Sequence, residues 1–205
     1  MTTTLGLILA GGQARRMGGG DKALLRVGGS TILDRTLERF APQCADTIIN
    51  ANGDPARFDF TGLTIVPDDV PGSAGPLAGI LAGLDWCAAH RPDIEFVASV
   101  SGDCPFLPTD LVRRLHAVRE AENKPLACAQ SGEWRHPTIA LWRVDLRSDL
   151  RHALVDDDLR KIEVWTARHG VAIASWPDKP TDPFFNVNTP EDLRAAEALI
   201  GEQTI

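Results

Sequence analysis

Short apolar runs alternate with segments of helical periodicity along the first 120 residues. Leu5–Ala10 is a continuous apolar run that ends in glycines, which indicates a strand buried on both faces. The same kind of pattern predicts further strands at Thr47–Ala51, Leu63–Val66 and Ile94–Val100, and helices at Pro76–His90 and Thr109–Ala121. Strands that alternate with helices at short intervals indicate an α/β fold with a mainly parallel sheet and helices on both faces.

Two helix starts are marked by capping residues. Ser30, after the Gly28-Gly29 turn, is predicted to cap a helix whose apolar residues fall at helical spacing. Near the end of the chain, Thr189 can cap a helix that begins with Pro190, and Asp192 places negative charge at its positive end. We expect this last helix to pack through Leu193, Ala196 and Ile200.

The pattern loosens beyond Leu126. Leu126–Gln130 and His136–Trp142 can pair as a hairpin across the segment SGEWR, which would add antiparallel strands in the C-terminal half. No internal repeat or low-complexity linker separates this half from the first, so we predict one domain over residues 1–205.

Composition places the chain among ordinary globular proteins. Its 205 residues are 43% hydrophobic and 24% charged, and its start lacks the basic segment and long apolar stretch of a signal peptide or membrane span, so a cytoplasmic protein is expected. The four cysteines form no CxxC pair and the five histidines no HxxxH spacing, which argues against structural zinc. We expect reduced thiols, three of them in the core.

The charge is acidic overall but basic in one segment. A net charge of −7 argues against a nucleic-acid partner. Between Gly11 and Gly29 the only acid is Asp21, whereas Arg15, Arg16, Lys22 and Arg26 are basic. Local basic charge in an acidic protein favours a small anion as ligand.

The segment LAGGQARRMGGGDK, residues Leu9–Lys22, combines the features of a phosphate-binding loop. It follows a predicted buried strand and carries five glycines and three basic residues, which allow backbone N–H groups to approach a triphosphate and supply positive charge. It matches neither GxxxxGK[ST] nor GxGxxG opening a helix. The alternative is a flexible surface loop with solvated arginines.

Other polar residues also follow predicted strands. Asp103 comes after Ile94–Val100, where its carboxylate could hold Mg²⁺, or could merely shape a turn. At the neighbouring strand ends, amide and carboxylate side chains could form hydrogen bonds to a base and a ribose. These residues are Asn50, Asn52, Asp68, Asp69 and the turn Pro71–Gly79, although each is also an ordinary turn residue. No GxSxG motif or Cys-His pairing suggests a covalent nucleophile.

The motifs LAGGQARRMGGGDK, IINAN, SAGPLAG, GDCPFLP, HPTIAL and NVNTPEDL, in this order, closely resemble those of the molybdenum cofactor guanylyltransferase (MobA-type) family. The resemblance spans Leu5 to about Leu193. The loop alone resembles the wider nucleotidyltransferase superfamily, which has a Rossmann-like fold, whereas HPTIAL and NVNTPEDL narrow the resemblance to this family.

The resemblance implies a role for each matching residue. Leu9, Ala10 and Gly11 would contact GTP; Gly12, Arg16 and Gly19 would shape the phosphate loop; Lys22 would bind phosphates; Asn50 and Asp68 would contact guanosine; Asp103 would hold Mg²⁺; and Asn186 with Asn188 would face molybdopterin. Family members that transfer cytidylate resemble LAAG at the loop start, so the Gly11-Gly12 pair favours guanine.

The implied reaction is attack by the terminal phosphate of molybdenum cofactor on the α-phosphorus of GTP, with release of pyrophosphate. The resemblance makes Arg16, Lys22 and Asp103 the catalytic residues, since Arg16, Lys22 and Mg²⁺ on Asp103 would neutralise the developing charge. His136 could act as a base or be structural, and Arg160 and Lys161 could contact the acceptor phosphate or lie on a solvated helix face. Transient contacts with other cofactor-biosynthesis proteins or molybdoenzyme chaperones are expected, and a membrane is not. Two alternatives are a cytidylyltransferase with another phosphorylated acceptor and a non-catalytic GTP-binding module.

Overall fold

The protein is described by a computed structural model that covers residues 2–11, 21–70 and 75–202. Its strands are β1 (Thr4–Leu9), β2 (Arg26–Val27), β3 (Ser30–Thr31), β4 (Asp46–Asn50), β5 (Thr64–Val66), β6 (Phe96–Ser101), β7 (Leu126–Ser131), β8 (Trp134–Arg143) and β9 (Val171–Trp176). Its helices are α1 (Ile32–Phe40), α2 (Pro76–His90), α3 (Leu111–Ala121), α4 (Arg147–Val155), α5 (Ile162–His169) and α6 (Pro190–Glu202). The predicted alternation of strands and helices is confirmed.

Most of these strands form one sheet with the order β5-β4-β1-β6-β8-β7-β9. Strand β1 lies parallel to both β4 and β6, and β4 lies parallel to β5. Strand β8 runs antiparallel to β6 and β7, and β7 runs parallel to β9. The predicted α/β fold, a mainly parallel sheet with an antiparallel addition in the C-terminal half, is therefore confirmed.

Both faces of the sheet are covered, as the continuous apolar runs predict. On one face Ile8 is fully buried in a cluster that includes Leu33 of α1 and Leu115 of α3. On the other face Leu7 is fully buried in a cluster that includes Leu81 of α2. Helix α2 is apolar nearly all round because it packs between the sheet and α4.

The hairpin of β7 and β8 is confirmed, although its second strand begins earlier than predicted, at Trp134. Gly132 turns the chain with φ +52°, a conformation that favours glycine. Strand β9 and helices α4 and α5 were not predicted individually. In β9 the inward residues are mostly alanines, and two of the three outward ones, Val171 and Ile173, are apolar and only partly exposed, so its hydrophobic alternation is weak.

The cap predicted at Ser30 is wrong, and Thr31 caps α1 instead. The Thr31 hydroxyl accepts a hydrogen bond from the Asp34 amide at 3.0 Å, and the Asp34 carboxylate accepts one from the Thr31 amide at 2.9 Å. This reciprocal capping box holds Thr31 at the helix start, while Ser30 pairs with Val27 in the short β2–β3 ladder. The cap predicted at Thr189 is confirmed by a hydrogen bond from the Asp192 amide to its hydroxyl at 3.1 Å.

The cysteines and the last helix also agree with the sequence. All four cysteines are free thiols, and Cys87, Cys104 and Cys128 are buried. Ala196 of α6 is buried in a small cluster against which Leu193 and Ile200 pack. In the part of the chain that the structure describes, every helix is too short or too polar to cross a membrane.

Replacing the true cap of α1 should destabilise the fold more than replacing its neighbour. We expect Thr31→Ala to cost about 1 kcal/mol of unfolding free energy, because it leaves the Asp34 amide without its partner. Ser30→Ala should stay within about 0.5 kcal/mol of the parent, as surface substitutions usually do. Urea denaturation of the two variants measures both values, and an equal or larger loss for Ser30→Ala would contradict the assignment of the cap.

Candidate active site

One cleft lies where three parallel strands end side by side. Leu9, near the end of β1, pairs in register with Asn50 of β4 and with Ser101 of β6. The cleft has a volume of about 330 Å³. The residues predicted from the sequence that line it are Leu9, Ala10, Gly11, Lys22, Asn50, Asn52, Asp68 and Asp103. Gly12, Arg16 and Gly19 lie outside the described residues.

Amide and carboxylate groups form a hydrogen-bonded cluster on the β4 side of the cleft. The buried Asn50 amide donates to the Val66 carbonyl at 3.0 Å and to Asp68 Oδ1 at 2.9 Å. Asn52 donates to Asp68 Oδ2 at 2.8 Å and accepts from the Asp68 amide at 2.9 Å. Both carboxylate oxygens of Asp68 are thus held in place, so the cluster presents fixed acceptors and donors to a ligand.

Gly79 of α2 makes room for this cluster, and the sequence reasoning did not single it out. A Cβ atom at Gly79 would lie 2.1 Å from Asn50 Oδ1, closer than real contacts allow. A larger residue here would have to displace the Asn50 side chain from its bonds to Val66 and Asp68, so glycine lets α2 pack closely against the end of β4. Glycine inside a helix usually destabilises it. A glycine in the middle of a predicted helix is therefore the sequence signal for a close contact with another element.

The start of α2 also belongs to the cleft. Gly75 and Pro76 line it, and Gly75 precedes the helix with φ +73°. Pro76 occupies the first helical position, where the missing N–H costs nothing. The positive end of a fifteen-residue helix therefore lies at the cleft, and it favours negatively charged groups there. Residues 71–74 of the predicted glycine-rich turn lie outside the described residues.

Asp103 stands on the β6 side, held by its neighbours. The Ser101 hydroxyl donates to Asp103 Oδ1 at 2.6 Å, and the Asp103 carbonyl accepts from the Val187 amide at 3.1 Å. Ser101 is a second residue that the sequence reasoning missed. Its position two residues before an aspartate at a strand end is the only signal that could have indicated it.

The donor set at Asp103 fits a hard cation such as Mg²⁺, which prefers oxygen ligands and retains waters. Within residues 2–11, 21–70 and 75–202, no three His, Cys, Asp or Glu side chains are grouped so that they could hold a metal ion. A metal at Asp103 would therefore need phosphate oxygens and water for most of its coordination.

Lys22 connects the first part of the chain to the segment before α6. Its ammonium group donates a hydrogen bond to Asn188 Oδ1 at 2.6 Å. The start of α6 positions Asn188, because the backbone amide of Asn188 donates a hydrogen bond to the Asp192 carboxylate at 2.9 Å. The structure therefore brings together two residues that are 166 positions apart.

Asn186 is held by a buried thiol. Cys104 Sγ donates to Asn186 Oδ1 at 2.6 Å, and the cysteine is fully buried. Burial, followed by the nearby charges of Asp103 and Asp182, raises the pKa of the Cys104 thiol well above its usual range. The thiol therefore stays protonated, which makes it a hydrogen-bond donor and keeps it unreactive beside the cleft.

Neither His136 nor the basic pair after α4 lines this cleft. The ring of His136 shares a hydrogen bond with the Ser131 hydroxyl at 2.7 Å, and burial lowers the pKa of the imidazole, so it is neutral at neutral pH. Arg160 donates to the Leu154 carbonyl at 2.8 Å and pairs with Asp158, and Lys161 is exposed. His136 acting as a base remains a prediction.

Asp69 does not join the polar cluster of the cleft. Its carboxylate pairs with Arg151 of α4 at 2.9 Å, and Arg151 also contacts Asp85 of α2 at 2.6 Å. The sequence could not separate Asp68 from Asp69, because adjacent residues point in different directions and only the packing of α4 decides which one faces the cleft.

Comparison with known proteins identifies relatives of the whole chain. Residues 6–172 match the sequence model of the MobA-like NTP transferase domain. A protein of Bradyrhizobium sp. (strain ORS 278), named molybdenum cofactor guanylyltransferase, is 61% identical over 198 residues, which cover 97% of this chain and 93% of that protein.

Solved structures show the same fold at low identity. The molybdopterin-guanine dinucleotide biosynthesis protein A of Archaeoglobus fulgidus superposes with a TM-score of 0.74 at 22% identity, covering 97% of this chain and 99% of the other. A CMP:2-keto-3-deoxy-manno-octonic acid synthetase solved with CTP superposes with a TM-score of 0.75 at 13% identity, covering 98% and 100%. Because the second structure holds a pyrimidine nucleotide, the fold by itself does not determine the base.

Filling the space at Gly79 should destabilise the protein. We expect Gly79→Ala to cost about 1–3 kcal/mol of unfolding free energy, because the new methyl group must displace Asn50. Gly201→Ala is the matched control, since a Cβ atom at this helical glycine meets nothing within 4 Å. The control should be neutral or slightly stabilised. Urea denaturation that gave the same change for both variants would show that α2 does not need glycine here.

Proposed function

The chain belongs to the molybdenum cofactor guanylyltransferase family of MobA-like NTP transferases, and we propose that it transfers GMP from GTP to the terminal phosphate of molybdopterin in molybdenum cofactor. The observation that carries the proposal is the hydrogen bond from Lys22 to Asn188. It joins a residue expected to bind the donor phosphates to a residue expected to face the acceptor. Both substrates would therefore meet at one cleft.

The β4 side of the cleft is the proposed guanosine site. Guanine presents N1–H and N2–H₂ donors beside the O6 acceptor, whereas cytosine has no such pair of donors. The fixed carboxylate of Asp68 and the amides of Asn50 and Asn52 offer complementary acceptors and donors. A site built to pair with particular polar groups rejects bases that lack them.

The phosphates would lie between Lys22 and the start of α2. Lys22 contributes a full positive charge, and the helix start adds a partial one. When GTP binds, the ammonium group of Lys22 can retain Asn188 or exchange it for a phosphate oxygen, since it carries three donors. Retention would hold Asn188 beside the bound phosphates, and exchange would release Asn188 on the acceptor side.

Asp103 would hold magnesium through its carboxylate, with Ser101 fixing the orientation of that group. When bound, the ion supplies neutralisation of the charge on the triphosphate and on the departing pyrophosphate. The remaining task of the protein is to position two anions in line, which by itself accounts for a large part of such rate enhancements.

The chemical step balances without a protein base. A bond forms between an acceptor phosphate oxygen and the α-phosphorus of GTP, and the bond from that phosphorus to the bridging oxygen of the β-phosphate breaks, so that pyrophosphate leaves. The attacking phosphate is already ionised at neutral pH. The neutral His136, held by Ser131, is not required for this step.

One assay distinguishes the proposed function from two alternatives, a cytidylyltransferase and a non-catalytic GTP-binding module. The purified chain is incubated with molybdenum cofactor and Mg²⁺ and either GTP or CTP, while pyrophosphate and the dinucleotide product are followed. The proposal expects pyrophosphate release with GTP only. Activity with CTP would indicate a cytidylyltransferase, and stabilisation by GTP without pyrophosphate release would indicate a non-catalytic binding module.

Removing the charge of Asp103 should abolish most of the transfer. We expect Asp103→Asn to lower the rate roughly 100-fold or more, because it removes the only carboxylate proposed to hold the metal. Asp69→Asn is the matched control, since Asp69 pairs with Arg151 outside the cleft, and it should keep the parent rate within about twofold. A near-normal rate in Asp103→Asn, with pyrophosphate followed at saturating GTP, would remove Asp103 from the mechanism.

A further inference from the structure

Asp21 poses an electrostatic problem for the proposed donor site. It directly precedes Lys22, which lines the cleft, and it is the only acid between Gly11 and Gly29. A carboxylate at this position would repel the phosphates that Lys22 attracts. Its side chain is only 15% exposed, so water alone screens its charge poorly.

Arg57 supplies the counter-charge. This residue lies in the short 3₁₀ helix Pro55–Thr61, after β4. Its Nε contacts Asp21 Oδ2 at 2.6 Å, and the arginine side chain is 25% exposed. The guanidinium also lies 4.6 Å from the ring centroid of the buried Phe58. Stacking on that ring restricts the arginine to the geometry that meets Asp21.

The other two nitrogens of Arg57 hold the loop that carries Asn52. One donates to the Asn52 carbonyl at 2.6 Å, and the other donates to the Asp54 carbonyl. Asn52 in turn exchanges two hydrogen bonds with Asp68, at 2.8 and 2.9 Å. A single guanidinium therefore connects the residue before Lys22 to the cluster proposed to read guanine.

We infer that Arg57 is a positioning residue for the donor nucleotide: it neutralises Asp21 and fixes the phosphate side and the base side of the cleft relative to each other without touching GTP. The inference rests on the proposed function, because it names GTP as the ligand. A lysine could supply the charge, but its donors all sit on one nitrogen, whereas Arg57 uses three separate nitrogens held in one plane.

A double-mutant cycle separates this role from direct phosphate binding. Equilibrium binding of GTP with Mg²⁺ is measured for the parent and for Arg57→Ala, Asp21→Asn and the double variant. Arg57→Ala should weaken binding about tenfold, within the range seen for coupled charged pairs, because Asp21 then stands uncompensated. Adding Asp21→Asn should restore part of the affinity, since the repelling charge is gone while the Asn52 loop still lacks its hydrogen bonds from Arg57. Arg57→Lys should fall between parent and Arg57→Ala.

Arg91→Ala is the matched control. Arg91 also pairs with aspartates, Asp46 at 3.5 Å and Asp93 at 2.9 Å, but it is bonded to the first residue of β4, at the opposite end of that strand from the cleft. Its removal should leave GTP binding unchanged. Urea denaturation of every variant shows whether a loss of binding merely follows unfolding, and Arg57→Lys keeps the test decisive if Arg57→Ala does not fold.

Two results would overturn the inference. If the double variant binds GTP as weakly as Arg57→Ala or more weakly, Arg57 does not act by neutralising Asp21, and the inference fails. If Arg57→Ala binds GTP as the parent does, Arg57 has no role at the site. Since the readout is binding, a parent protein that binds GTP but transfers no GMP would refute the proposed function and leave this inference standing. A parent that binds no GTP would refute both.

Discussion

The parallel pairing of β1 with both β4 and β6 is the constraint on which the rest of the structure depends. Because parallel strands end at the same edge, Leu9 lies level with Asn50 on one side and Ser101 on the other. The hydrogen-bonded cluster of Asn50, Asn52 and Asp68 and the Asp103 carboxylate thereby lie on opposite sides of one cleft. Gly79 then lets α2 bring its positive end against the same edge.

The proposed GTP side and the proposed acceptor side of the site are joined by hydrogen bonds to Asn186 and Asn188, near the C-terminal end of the chain. The segment before α6 lies next to the cleft without lining it: Asn188 accepts a hydrogen bond from Lys22, which does line it, and Asn186 accepts one from the buried Cys104. Each asparagine is therefore held by a residue that lines the cleft, Lys22, or follows one, Cys104 after Asp103. Burial keeps the Cys104 thiol protonated. This cysteine beside the cleft therefore serves as a hydrogen-bond donor to Asn186 and not as a nucleophile.

The sequence predicted what local pattern decides and missed what tertiary contacts decide. The bounds of α2, the cap at Thr189 and the strand end that carries Asp103 follow from periodicity and capping, and the structure agrees with each. The cap predicted at Ser30 is an exception, since the miss is local: Thr31 forms a reciprocal capping box with Asp34, three residues later, and Ser30 pairs with Val27. Arg57 could not be found, since an arginine in the short segment Pro55–Thr61 has no sequence signal until the fold brings it to Asp21.

A crystal structure with Mg²⁺ and a GTP analogue that has a methylene group between the α- and β-phosphorus tests the central claim most directly, because that analogue binds but cannot transfer. The account predicts the guanine edge at Asn50 and Asp68, a phosphate oxygen within hydrogen-bond distance of Lys22 Nζ, and the metal on Asp103. A nucleotide bound outside this cleft, or a metal held without Asp103, would contradict it.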